Sequence, residues 1–200
     1  MDSSIDIAIS SAAVHWLTAK PEVPYGDGLF LSQLDANLKK ILLKKAADDW
    51  EIFISARSKE LKVGGLLFVT GLASEIDDQG KLSVSAADLF TVMRRVLKGM
   101  IAEKILSQHV YDDYIFPVVP RTLDEYLAPV CSEVWQVKVA KIASGTNAFY
   151  AAYQQHGNAQ TYAKDYINFV RSFSESAMIA GLFSPGAISM DAKACSEVIF

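Results

Sequence analysis

The sequence predicts an α/β fold, and three stretches carry that prediction. Residues 5–10 (IDIAIS) form a short apolar run of strand length. Residues 31–61 repeat apolar side chains every three or four positions, and residues 66–70 (LLFVT) form a second apolar run just after Gly64-Gly65. Apolar runs of about four to eight residues fit strands buried on both faces, while a period near 3.6 fits an amphipathic helix. Strand, helix, Gly-Gly and strand in that order make a βαβ unit, whose crossover is right-handed.

The remaining elements follow in order. Residues 10–18 (SSAAVHWLT) read as a turn into a short helical segment, and residues 21–28 as a loop with two prolines and two glycines. In the long helix, Leu34, Leu38, Ile41 and Leu42 share a side, as do Trp50, Phe53 and Ile54. Lys39, Lys40, Lys44 and Lys45 fill a solvated face, and Gly64-Gly65 is expected to end the helix. An acidic loop (SEIDDQG) precedes a helix over residues 85–103, which sets Phe90, Met93, Leu97 and Met100 on one side. Thr122 with Glu125 three residues on forms a capping-box pattern for the helix DEYLAPV. Residues 134–142 (VWQVKVAKI) alternate apolar and polar and predict a strand open on one face. A last helix is expected over residues 162–182, and the terminal CSEVIF also reads as helical.

Composition bounds the class of function. The 200 residues are 51% hydrophobic and 21% charged, which is ordinary for a globular chain. The net charge of -4 argues against nucleic acid as the main partner, because phosphate binding draws on a basic face. A small anion still fits, since local donors decide that binding. Cys131 and Cys195 stand alone, with no metal-type pair, and read as small core residues in a reducing, cytoplasmic setting. The start MDSSIDIAISS lacks a basic region before its apolar run, and no run nears the ~20 apolar residues that cross a membrane, so neither a secretory signal nor a membrane partner is expected. His109 and His156 fall in expected loops, and Asp112-Asp113 reads as a solvated acidic turn rather than a metal site.

Four blocks, in order, resemble the SABATH family of carboxyl methyltransferases. They are SSAAVHWLT (residues 10–18), FISARSKELKVGGLLFVTG (residues 53–71), the stretch VLKGMIAEKILSQHVYDDYIFPVVPRTLDEYLAPV (residues 96–130) and FVRSFSES (residues 169–176). The resemblance implies a class I, Rossmann-like methyltransferase sheet with a helical substrate cap. On that reading residues 1–72 hold strands four and five, residues 73–132 the cap, and residues 133–200 the sixth strand and terminal helices. It implies S-adenosylmethionine (SAM) as methyl donor, a small carboxylic acid as partner, and a possible homodimer.

The departures shape a further expectation. The family's glycine-rich donor loop and ribose-gripping acidic residue belong upstream of the fourth strand and have no counterpart here. Its last strand belongs after Phe200. The sheet is therefore expected to lack its N-terminal strands and its final strand, the chain being a fragment or a relative that has lost its donor site. Tyr114-Ile115-Phe116-Pro117 lacks the family's Asn, Ala12 stands where Tyr is frequent, and Glu175-Ser176 replaces Glu-Pro.

Methyl transfer to a carboxylate needs no general base, because a carboxyl group with a pKa near 4 is already ionised at neutral pH. The site must align one oxygen with the methyl carbon and exclude water. By residue type alone, Trp16 reads as packing at a strand-to-helix corner; the resemblance makes its indole N–H a donor to the substrate carboxylate. His15 beside it would line the same pocket and donate in the right tautomer. Phe90 and Val170 match the family's apolar substrate wall, or are plain core. Ser10 and Ser11 lie where ligands bind in open α/β sheets, at the end of a strand, and stand as candidates near the donor. Two other readings compete: an acid methyltransferase of the trans-aconitate type, and a non-catalytic chain that binds a partner or a small acid. The long insert over residues 72–132 favours SABATH.

Overall fold

The computed structural model describes residues 3–79, 82–145 and 147–183. The chain runs through β1 (Ile5–Ser11), a 3-10 turn (Leu31–Gln33), α1 (Ala36–Glu60) and β2 (Leu61–Thr70). It continues through β3 (Ser74–Ile76), β4 (Leu82–Val84), α2 (Ala87–Ala102), α3 (Gln108–Asp112), α4 (Leu123–Leu127), α5 (Ala148–His156) and α6 (Ala159–Leu182). The last residues of the sequence, CSEVIF with Cys195, lie outside the described part.

The predicted βαβ unit is present. β1 and β2 pair in parallel, in register from Ile7 opposite Leu66 to Ser11 opposite Thr70. Between them α1 is capped by Asp35, whose carboxylate accepts from Leu38 N at 2.9 Å. Leu42, Ala46, Trp50 and Ile54, each four residues on from the last, form its buried row. The helix ends at Glu60 rather than at the glycines, which lie inside β2. There the register shifts between Ile5 and Ile7, and Gly64 takes φ +82°. A Cβ on Gly65 would stand 2.9 Å from Lys62 O and 3.2 Å from the carbonyls of Ile5 and Asp6. The glycine pair thus serves a bulge in the ladder and not a helix stop.

Five expectations are corrected. Neither strand is buried on both faces: Ile7, Ile9, Leu66 and Phe68 share one face of the pair and are exposed, Ile9 by 71%. The pair is a sheet of two strands, and nothing among the described residues covers that face. The acidic loop folds as an antiparallel hairpin, Ser74 opposite Val84. Residues 134–142 form no strand; Val137 and Val139 are exposed, because the alternation finds no neighbouring backbone to pair with. Residues 10–18 turn without forming a helix, while His109 and His156 sit in α3 and α5 rather than in loops.

The helices after β4 follow their sequence signals. Thr122 and Glu125 form the expected capping box on α4, with Glu125 N donating to Thr122 Oγ1 at 3.2 Å and Thr122 N to Glu125 Oε2 at 2.7 Å. Asn147 and Asn158 cap α5 and α6, separated by Gly157 in a left-handed turn. Phe90, Met93, Leu97 and Met100 of α2 enter one apolar core with Val170, Met178 and Leu182 of α6. No described helix is long and apolar enough to cross a membrane.

Candidate active site beside the parallel strands

At the end of β1 the chain pairs for one more residue, Ala12 N donating to Thr70 O at 3.0 Å, and then turns at Ala12 with φ +52°. The segment that follows runs antiparallel to the proline motif. Val119 N donates to His15 O and Leu17 N to Pro117 O, both at 2.8 Å, with Trp16 opposite Val118. These bonds fix the backbone of His15 and Trp16 against Pro117, Val118 and Val119 rather than against the sheet.

His15 is buried, and its Nδ1 accepts from Leu72 N at 3.1 Å. Burial, and secondly the Arg121 charge, push its pKa down to about 4. The ring is therefore neutral at pH 7, and with Nδ1 occupied as an acceptor the proton resides on Nε2, which is a donor. Trp16 is half-buried, its ring 5.4 Å from Phe116. Among the described residues no acceptor pairs with the Trp16 indole N–H. Phe116 stands 4.8 Å from Phe90, which stacks on Phe30 at 4.0 Å. A row of rings therefore leads from Trp16 into the core.

The structure brings His15, Trp16 and, through Phe116, Phe90 together. Phe90 is sealed in the core, and Val170 is fully buried on α6 within the apolar cluster that Trp16 packs against. Ser10 and Ser11 lie at the C-terminal edge of the pair, where Ser11 Oγ and Thr70 Oγ1 share a 3.2 Å hydrogen bond.

Two residues that frame the site were not legible in the sequence. Arg121 is 2% exposed; its Nη1 donates to Val14 O and its Nη2 to Ala46 O, both at 2.6 Å. The guanidinium also lies 5.8 Å from the rings of Trp50 and Tyr126. Asp49 of α1 accepts from Thr18 N at 3.1 Å, from Thr18 Oγ1 at 2.7 Å and from Lys45 Nζ at 2.5 Å. Burial alone would raise the Asp49 carboxyl, but the hydrogen bonds from Lys45 and Thr18 hold it below the ordinary carboxylate range. In sequence, Arg121 reads as a loop cation and Asp49 as one charge on a solvated helix face.

The residue after β2 is packed as closely. A Cβ on Gly71 would fall 2.1 Å from the Tyr126 hydroxyl, which itself donates to Leu72 O at 3.2 Å. Gly71→Ala is expected to destabilise by about 1–3 kcal/mol through overpacking. Added to that background, Tyr126→Phe should restore part of the loss, a non-additivity that chemical denaturation of the two single variants and the double variant measures.

The fold is that of an α/β protein in which a buried, neutral His15 and a half-buried Trp16 follow the end of a parallel strand pair. A family model described as SAM dependent carboxyl methyltransferase matches residues 1–195, and the chain belongs to that family. It is 23% identical over 141 residues to gibberellic acid methyltransferase 2 of Arabidopsis thaliana, an alignment covering 64% of this chain and 36% of that protein. It is also similar to the solved structure of loganic acid methyltransferase with SAH, with a TM-score of 0.56 and 21% identity over 64% of this chain and 39% of the other. The chain thus spans well under half the length of the relatives it matches. At 21% identity the structural likeness shows the shared fold.

The family's methyl donor is SAM. Ser10 and Ser11 lie at the C-terminal edge of the strand pair, the edge at which open α/β sheets bind ligands.

Proposed function

We propose that this chain is the acid-binding portion of a methyltransferase that forms methyl esters of small carboxylic acids. The observation that carries the reading is the pairing of the unengaged Trp16 indole N–H with the neutral His15, whose Nε2 is a donor. Two uncharged donors orient a carboxylate while leaving its charge on the oxygens that react. A neighbouring guanidinium or ammonium would hold the anion harder and lower its nucleophilicity. The Phe116 ring, backed by Phe90, packs under Trp16 and makes the indole's surroundings apolar, which favours a carboxylate shielded from water. SAM supplies the methyl group, and no proton need move, so the lack of a base at this place fits the chemistry. Lone thiols suit a cytoplasmic setting.

Trp16→Phe tests the reading, since it keeps a ring and removes the donor. Titration of benzoate into the wild-type 200-residue chain, followed by the Trp16 indole N–H resonance, should shift that resonance. The variant should bind about tenfold more weakly, as expected for one hydrogen bond to a charged group. Equal affinity in the two proteins would overturn the assignment. A second reading, a non-catalytic acid-binding chain, is favoured by the single-sided donor edge at Ser10 and Ser11. Calorimetry with S-adenosylhomocysteine separates the two: binding at micromolar concentration supports the enzyme, while binding of acid alone supports the second reading.

A further inference from the structure

The five residues from Val14 to Thr18, which carry both proposed donors, are tied to one face of α1 at their two ends. At the first end the Arg121 guanidinium spans Val14 O and Ala46 O. At the other end Asp49 takes both the backbone N–H and the hydroxyl of Thr18. Ala46 and Asp49 are three apart on the helix, so the two ties lie one turn from each other on the same side. Between them the proline motif holds His15 O and Leu17 N.

We propose that Arg121 and Asp49 are positioning residues that set the aim of the Trp16 and His15 donors. The inference rests on the reading of those side chains as the acid-binding pair.

The pairing of Arg121 is the reason to assign it this role and not one in general stability. A buried guanidinium is costly to desolvate, and it is ordinarily retained with a carboxylate beside it. Among the described residues Arg121 makes no salt bridge; its Nη1 and Nη2 go to the backbone carbonyls of Val14 and Ala46, and its Nε has no hydrogen-bond partner. The planar fork holds two such carbonyls at a fixed spacing, which the single-point ammonium of lysine does not reproduce. Asp49 divides its carboxylate between Thr18, in the turn after Trp16, and Lys45 one turn back on α1, and caps no helix end. Each residue therefore fixes backbone next to a donor. In a site that aligns one oxygen with a methyl group, a shift of about 1 Å is enough to matter.

The test reads the Trp16 side chain directly. The 200-residue chain labelled with nitrogen-15 gives three indole cross-peaks, from Trp16, Trp50 and Trp135, assigned with Trp16→Phe. In Asp49→Ala and Arg121→Lys the Trp16 peak should move and its hydrogen exchange should quicken at least tenfold, while the Trp135 peak stays in place. Asp49→Asn, which keeps an acceptor for Thr18 N, should restore most of the wild-type exchange rate. Benzoate affinity should follow the same order. If Asp49→Ala leaves the Trp16 peak and its exchange unchanged, the inference is overturned, and it stands or falls on that variant should Arg121→Lys not fold. If wild-type protein shows no benzoate-induced shift at Trp16, the proposed function fails, and the exchange data still decide whether Asp49 and Arg121 hold the indole in place.

Discussion

Phe116→Ala should lower the free energy of unfolding by about 3–5 kcal/mol, the usual cost of deleting a sealed aromatic ring. The ring is 2% exposed and is the link between Trp16 and Phe90, with centroids 5.4 and 4.8 Å away. Its backbone is fixed separately, Phe116 N donating to Leu29 O at 2.9 Å, so the neighbours cannot follow the lost side chain inward. A cavity therefore remains, and the cavity adds to the transfer cost. Urea denaturation monitored by circular dichroism measures the loss, and Phe116→Leu should recover more than half of it. A loss below about 1 kcal/mol for the alanine variant would mean that the row of rings is not a packed unit. Because Trp16 rests on this ring, acid binding should weaken in the alanine variant as well.

Acid should remove stability through His15 before it does so through Asp49. The His15 pKa is lowered from an ordinary 6.5 to about 4 by burial and by Arg121. Above pH 6.5 the ring is neutral in both folded and unfolded chains, and its titration contributes nothing to the pH dependence. As pH falls from 6.5 towards 4 the unfolded chain takes up a proton that the folded chain refuses, so stability declines across that window. The full decline is worth about 2–3 kcal/mol. The groups facing His15 agree on the direction: Leu72 N–H occupies Nδ1, and Arg121 repels the imidazolium. Asp49, whose pKa is depressed, gives up its contribution only below 3.8, as pH falls through its folded value. His15→Gln keeps an acceptor for Leu72 N and does not titrate. Urea melts at pH 7 and pH 4.5 should show a steeper loss in wild type than in this variant; equal losses would show that His15 is protonated in the folded chain.

How much of this was legible in the sequence depended on whether the signal was local. α1, β1 and the capping box at Thr122 are set by periodicity and by near neighbours and stand close to where their residues indicated, while β2 begins at Leu61, ahead of the apolar run at residues 66–70. His15 and Trp16 were singled out through their motif, and the structure buries the first and half-buries the second. The failures among the strands have one cause, which is that a strand is a contract between two segments. Residues 134–142 alternate as a strand should, yet no described backbone lies alongside them. SEIDDQG looks like a loop, yet Ser74 to Ile76 find Leu82 to Val84. Gly64-Gly65 reads as a helix stop until the bulge opposite Ile5 and Ile7 is seen. Arg121 and Asp49 were missed for a related reason: their partners, Val14, Ala46 and Thr18, lie 107, 75 and 31 residues away.

The manner in which Arg121 is satisfied bears on how the protein responds to ionic strength. The exposed ion pairs Lys44–Asp48 and Lys62–Asp6 face solvent, where counterions screen them within about 10 Å at 0.1 M salt. Arg121 is held by two carbonyl dipoles and two ring faces and is 2% exposed, so screening reaches it far less than the surface pairs. From dilute buffer to physiological salt the surface pairs should fade while this attachment keeps its strength, so the donors stay aimed over a range of electrolyte that alters the periphery.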